Sequence, residues 1–187
     1  MTRLRARLGD AAVNLDVESG KKKRVVVSDA APLIQLSLTH HLHLLPMLYD
    51  VTIPDGVFQE TQHYRDLPDA IEIAKAAGTW LVVKPVKETS RLSKLMSQKL
   101  GKGETEAMLL CEELHADSLL TSDRYAASQA EKLGLRTMTL ETVIRDSYDA
   151  RIIGAPEAVR LLDDLVGQNI LNTSYLRRLQ REAREWP

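Results

Sequence analysis

The chain has 187 residues, 44 % of them hydrophobic, enough to bury one sizeable core. Its formal charge of −1 excludes a globally basic nucleic-acid binder, so any polyanion has to be met by local patches. The single cysteine, Cys111, excludes an internal disulfide and a cysteine-rich zinc site, and no apolar run approaches the ~20 residues that cross a bilayer.

Residues 1–23 are polar, lack firm periodicity and read as an arm ahead of one domain over 24–187. They carry no apolar core of the kind a signal peptide needs, so a cytoplasmic location is expected. Basic clusters stand at "RLRAR" (3–7), "KKKR" (21–24) and "YLRRLQREAR" (175–184), each readable as a solvated face or tail. From Lys23 onward short apolar, β-branched runs alternate with helical patterns. The strand candidates are "RVVVS" (24–28), "DVTI" (50–53), "WLVVK" (80–84), "SLLTS" (118–122) and "RTMTL" (136–140). The spacing predicts helices at roughly 31–48 with a break near Pro46, then at 55–64, 68–77, 91–98, 103–115 and 124–133. After residue 140 only helices are expected, at about 141–150, 156–167 and 172–185. Strands separated by helices imply crossover connections, a mostly parallel sheet of about five strands, and helices on both faces. The strand runs are continuous rather than alternating, as a sheet covered on both faces requires.

In such a sheet every strand ends on one edge, where crossover helices begin and ligands bind. Asp29 follows the first strand and Asp123 the fourth, so both belong to that edge, although each also suits a helix N-cap. Glu104 opens a helical stripe with Ala107, Met108, Cys111 and Leu114, which sets a carboxylate at the head of a face expected to be buried. Its neighbour Glu106, three residues after Gly103, fits a capping-box role at the helix end. The pair is therefore divided, with Glu104 for chemistry and Glu106 for the helix. Glu60 lies about one turn into the helix after Ile53-Pro54, and on its spacing alone it reads as a solvated acid. Crowded carboxylates cannot all stay ionised without a cation, and oxygen-only ligation selects Mg²⁺ or Mn²⁺. Such an ion activates water and screens phosphate charge, which suits phosphodiester hydrolysis. No Walker-type phosphate loop and no G-x-G-x-x-G occurs, so nucleotide-dependent chemistry has no support.

These residues resemble a PIN domain, in the branch related to VapC-type toxins. "VVVSDAAPLIQL…LHLLPMLYDVTIPDGVFQET" and "LGKGETEAMLLCEELHADSLLTSDRYAASQAEKLGLRTMTL" are similar to that branch's ordered motifs, and the likeness covers about residues 24–185. The resemblance implies a three-layer α/β/α fold and a metal-dependent ribonuclease whose four acids fall on Asp29, Glu60, Glu104 and Asp123. It also implies a homodimer and a protein antitoxin that restrains the activity on RNA. One departure is Ser122, because relatives often carry two adjacent aspartates where this chain has Ser122-Asp123. A hydroxyl cannot replace that charge, but Ser122 could hold a metal-bound water, Ser28 could orient Asp29, and Arg124 could meet substrate phosphate. The alternative reading is a PIN-like module with weak catalysis that binds RNA or protein.

Two features carry less. "THHLH" (39–43) sets His40 and His43 at helical spacing without a nearby acid or cysteine, a weak metal motif. Aromatic content of 4 % disfavours base stacking, so RNA recognition is expected to rest on backbone contacts and shape.

Overall fold

The computed structural model describes residues 22–87, 100–167 and 174–186, with the side chains of residues 174–177 and 179 left aside. Most of the 1–23 arm and the helix expected at 91–98 lie outside the described residues. The first strand, β1 (Arg24–Ser28), leads through α1 (Ala30–Leu38) and α2 (Leu44–Leu48) to β2 (Tyr49–Pro54). Then follow α3 (Asp55–Thr61), α4 (Pro68–Ala77) and β3 (Val82–Lys84). The second half runs through α5 (Lys102–Glu113), β4 (Ser118–Leu120), α6 (Arg124–Lys132) and β5 (Thr137–Met138). It closes with α7 (Leu140–Asp149), α8 (Ala155–Gly167) and α9 (Ser174–Ala183).

All strand pairings are parallel, in the order β3-β2-β1-β4-β5, and helices flank the sheet in the expected α/β/α arrangement. Continuous apolar strands follow from this: Val26 and Val27, adjacent and pointing to opposite faces, are both fully buried. The chain winds outward from β1 to β2 and β3, returns to β4 on the other flank of β1, and continues outward to β5. The winding direction therefore reverses between β1 and β4. The C-terminal ends of these two strands mark the place where open α/β sheets take their ligands.

The helix expected over 31–48 is broken earlier than Pro46. Thr39 caps α1, its Oγ1 donating to the Gln35 and Leu36 carbonyls, and His40 adopts φ 60°. Pro46 sits inside the first turn of α2, where its missing N–H costs no intrahelical bond. His40 and His43 thus stand in a turn and at a helix boundary rather than on one helix face. At the opposite sheet edge, Asp146 of α7 accepts from Tyr49 Oη at 2.5 Å and pairs with Arg24, tying α7 to the starts of β1 and β2. Cys111 is buried, which pushes its thiol up to about 11, as expected of an inert core residue. Among the described residues no helix is long and apolar enough to cross a membrane.

Candidate active site

Asp29 occupies the first position after β1, and its backbone N–H donates to the Leu120 carbonyl of β4 at 2.9 Å. Its carboxylate is the α1 N-cap: Oδ1 accepts from Ala30 N–H at 2.7 Å and Oδ2 from Thr121 Oγ1 at 3.3 Å. Only 6 % of the residue is exposed. Burial, and then the charges of Glu104 and Glu60, push this carboxyl up to about 6 against the opposing Ala30 hydrogen bond. The N-cap role and the electrostatic crowding are therefore both present. Ser28, fully buried, donates from Oγ to the Asp29 carbonyl at 2.9 Å and so steadies the backbone from which the acid projects.

Glu60 and Glu106 form a reciprocal clasp between α3 and α5. The Gly103 N–H at the start of α5 donates to Glu60 Oε1 at 3.0 Å, while the Gly56 N–H at the start of α3 donates to Glu106 Oε2 at 2.7 Å. Each carboxylate thus satisfies one of the amides left open in the other helix's first turn and sits where the helix dipole is positive. Both contacts require glycine. A Cβ on Gly56 would lie 2.8 Å from Glu106 Cδ, and one on Gly103 would lie 2.7 Å from Glu60 Cδ. Glu60 is exposed, yet its carboxyl is raised by partial burial and by the charges of Glu104 and Glu106, with Gly103 N–H and Lys102 opposing.

The division expected between Glu104 and Glu106 is corrected in one half. Glu104, not Glu106, makes the capping contact: the N-cap is Gly101, and its N–H donates to Glu104 Oε2 at 2.8 Å. Glu106 leaves the helix end altogether, is 8 % exposed, reaches across to α3, and has Lys102 Nζ 3.6 Å from its other oxygen. Glu106 is thus a site neighbour that the spacing argument passed over. The Gly-x₂-Glu pattern pointed to the wrong member because the helix begins two residues earlier than its second glycine suggests.

Asp123 lies at the same sheet edge, exposed, with Oδ1 accepting from Ala126 N–H at 2.8 Å as the α6 N-cap. Its own N–H donates to Thr121 Oγ1 at 3.2 Å, so one buried hydroxyl links the Asp29 carboxylate to the Asp123 backbone. Ser122 Oγ donates to Gln35 Oε1 of α1 at 2.7 Å, and Arg124 is exposed at the first position of α6.

Asp29, Glu60 and Glu104 therefore feel one another's charge, Asp123 joins them through Thr121, and Glu106 extends the group by way of Glu60. Among the described residues no three His, Cys, Asp or Glu side chains are gathered as a ready metal cage. Each acid is instead held by a backbone N–H, and the Glu60, Glu104 and Asp123 bonds each engage one of the two carboxylate oxygens. An all-oxygen set with mutual repulsion fits a hard divalent cation, which would relieve the charge that raises Asp29.

No curated protein matches the chain. A family model does: the one for the PIN domain covers residues 25–184, from the first residues of β1 to the end of α9. That family is one of nucleases that in general use divalent metals. With the match extending through the whole α/β/α unit, the chain belongs to the PIN-domain family.

Proposed function

We propose that this protein is a Mg²⁺- or Mn²⁺-dependent endoribonuclease and that it acts as a VapC-like toxin, a homodimer restrained by a protein antitoxin. The observation that carries the reading is Asp29, a carboxyl at the β1–β4 reversal raised first by its burial and then by the charges of two further acids from separate segments. Asp29, Glu60, Glu104 and Asp123 would hold the metal, which when bound supplies an activated water and neutralises phosphate charge. The chain's own groups do the rest. Thr121 and Ala30 N–H orient Asp29, Gly103 and Gly101 N–H orient Glu60 and Glu104, and Ser28 steadies the strand end. Lys102 and Arg124, at the first positions of α5 and α6, can meet phosphate oxygens of the RNA backbone.

A second reading is a PIN-fold module that binds RNA or protein with little catalysis. Ser122 favours it, because its hydroxyl is bonded to Gln35 where relatives often carry a second aspartate. Incubation of purified protein with Mn²⁺ and mixed RNA separates the two. The nuclease reading expects cleavage that EDTA abolishes and that Asp29→Asn loses; equal cleavage by wild type and Asp29→Asn discards this site. The toxin role expects growth arrest on induction, relieved by the product of an adjacent gene. Arrest that persists in the Asp29→Asn variant argues against it.

A further inference from the structure

The inward positions of α1 are small or apolar at Ala30, Pro32, Leu33 and Leu36, yet Gln35 stands among them and is 9 % exposed. An amide taken out of water is costly unless both of its ends find partners. The carbonyl end is served, because Ser122 Oγ donates to Gln35 Oε1 at 2.7 Å. The nitrogen end meets no acceptor among the described residues. It is not sealed in either, since the one buried side-chain oxygen or nitrogen left unpartnered among the described residues is Thr105 Oγ1. Gln35 Nε2 therefore opens to solvent with its N–H donors unused. Helix side chains tilt toward the helix N-terminus, so from the sixth residue of α1 the amide is carried back toward Asp29, the α1 N-cap. Ser122, partly exposed, stands between Asp123 and Thr121, whose Oγ1 donates to Asp29 Oδ2. The Ser122 bond thus sets which way the amide faces, with Oε1 turned to the hydroxyl and the N–H groups left for another acceptor. A neutral donor is held beside carboxylates, which only accept.

We infer that Gln35 is a substrate-contacting residue whose Nε2 donates to a non-bridging oxygen of the scissile phosphate, and that Ser122 positions it. The inference rests on the nuclease reading and deepens it. A phosphodiester at this edge brings anionic oxygens to carboxylates, so beyond a cation it needs donors. Lys102 and Arg124 offer charge from exposed positions, but Lys102 Nζ already stands 3.6 Å from Glu106 Oε1. An amide is uncharged, so it neither competes with a divalent ion for the acids nor is neutralised by them. Held by a helix and a hydroxyl before substrate arrives, it has little reorganisation to undergo as charge builds on the phosphate oxygens. Gln35 takes no proton and forms no bond to phosphorus. Water attacks, the ester oxygen leaves, and the amide stabilises an oxygen that stays.

The test is steady-state cleavage of RNA at a mapped position by the full-length protein in Mn²⁺. Gln35→Met keeps the length of the side chain and removes the amide. Its kcat should fall about a hundredfold with KM within about twofold of wild type, because the bond strengthens only as charge develops. Its Mn²⁺ binding, read by electron paramagnetic resonance, and its melting temperature should match wild type, which separates this role from metal holding and from folding. Sulfur in place of one non-bridging oxygen of the scissile phosphate is a poorer acceptor. One of the two diastereomers should slow wild type about fivefold more than it slows Gln35→Met. Ser122→Ala should lower kcat about tenfold, and Ser122→Thr should restore it through its hydroxyl. Unchanged kcat in Gln35→Met, loss of Mn²⁺ binding in that variant, or the same sulfur effect in both proteins overturns the inference. If Gln35→Met does not fold, the serine variants decide, and equal kcat in Ser122→Ala and wild type overturns it. A wild type that never cleaves in Mn²⁺ sinks the nuclease reading and this inference with it, whereas equal cleavage by wild type and Gln35→Met sinks this inference alone.

Discussion

Alanine at Gly56 and alanine at Gly103 present nearly the same steric problem and should differ in their cost to stability. In each case the new Cβ would fall within 2.8 Å of a glutamate Cδ, so that carboxylate has to leave its amide. Either substitution gains roughly 0.5–1 kcal/mol from the lower backbone entropy of alanine in a helix. At Gly103 the displaced partner is exposed Glu60, whose charge returns to water, and the lost bond is worth about 0.5–1.5 kcal/mol. The two contributions nearly cancel, so stability should stay within about 1 kcal/mol of wild type, while metal-dependent RNA cleavage drops because Glu60 has lost its anchor. At Gly56 the displaced partner is Glu106, 8 % exposed, whose other oxygen has Lys102 Nζ at 3.6 Å. A charge-assisted bond to a buried acid is worth about 1.5–3 kcal/mol, so Gly56→Ala should be less stable by roughly 1–2 kcal/mol net. Urea denaturation at constant m-value reads both numbers. Equal stability of the two variants, or a Gly103→Ala variant with full cleavage activity, would refute the clasp as described.

The remaining predictions concern the acids and their supports. Asp29 is raised from 3.8 unfolded to about 6 folded, so between those values the folded protein binds more protons and stability falls as pH rises. In metal-free protein this loss amounts to roughly 3 kcal/mol, is complete above about pH 6, and should be recovered by Asp29→Asn; thermal melts at pH 4 and 7.5 that show no such difference contradict the burial argument. Glu104→Gln keeps an acceptor for Gly101 N–H but removes the charge, so Mn²⁺ affinity should fall at least tenfold with the melting temperature unchanged. A large loss of stability there would reassign Glu104 to the helix end alone. Thr121→Val removes the hydroxyl that joins Asp29 to the Asp123 backbone and should lower cleavage about tenfold while costing only about 1 kcal/mol, the worth of an ordinary hydrogen bond. Unimpaired cleavage by this variant would leave the linkage without a role.

Much of the fold was legible because each strand is a continuous β-branched or apolar run, and because Asp29 and Asp123 each follow such a run at its end. Strand succession alone places both at one edge once the sheet is parallel. The distribution of roles along α5 was not legible, for two physical reasons. Residue 103 and residues 105–111 of that helix are all buried, so no stripe of period 3.6 distinguishes a core face from a site face. Moreover, the capping role depends on which glycine starts the helix: counted from Gly103 the third residue is Glu106, counted from Gly101 it is Glu104. The long-range partners of Glu60 and Glu106 are glycine amides 43 and 50 positions away, a pairing that no local pattern encodes. The break after α1 was misplaced for a related reason, since proline is tolerated in a first helical turn while His40 at φ 60° is not part of any helix.

The proposed nuclease requires Asp29, Glu60, Glu104 and Asp123 to bind one kind of divalent ion jointly at the β1–β4 edge. Titration of Mn²⁺ followed by its electron paramagnetic resonance signal tests this without substrate. Wild type should bind saturably, Asp29→Asn and Glu104→Gln should each lose most of that binding, and Glu131→Gln, on the outer side of α6, should bind as wild type does. Identical titrations for wild type and Asp29→Asn would contradict the account.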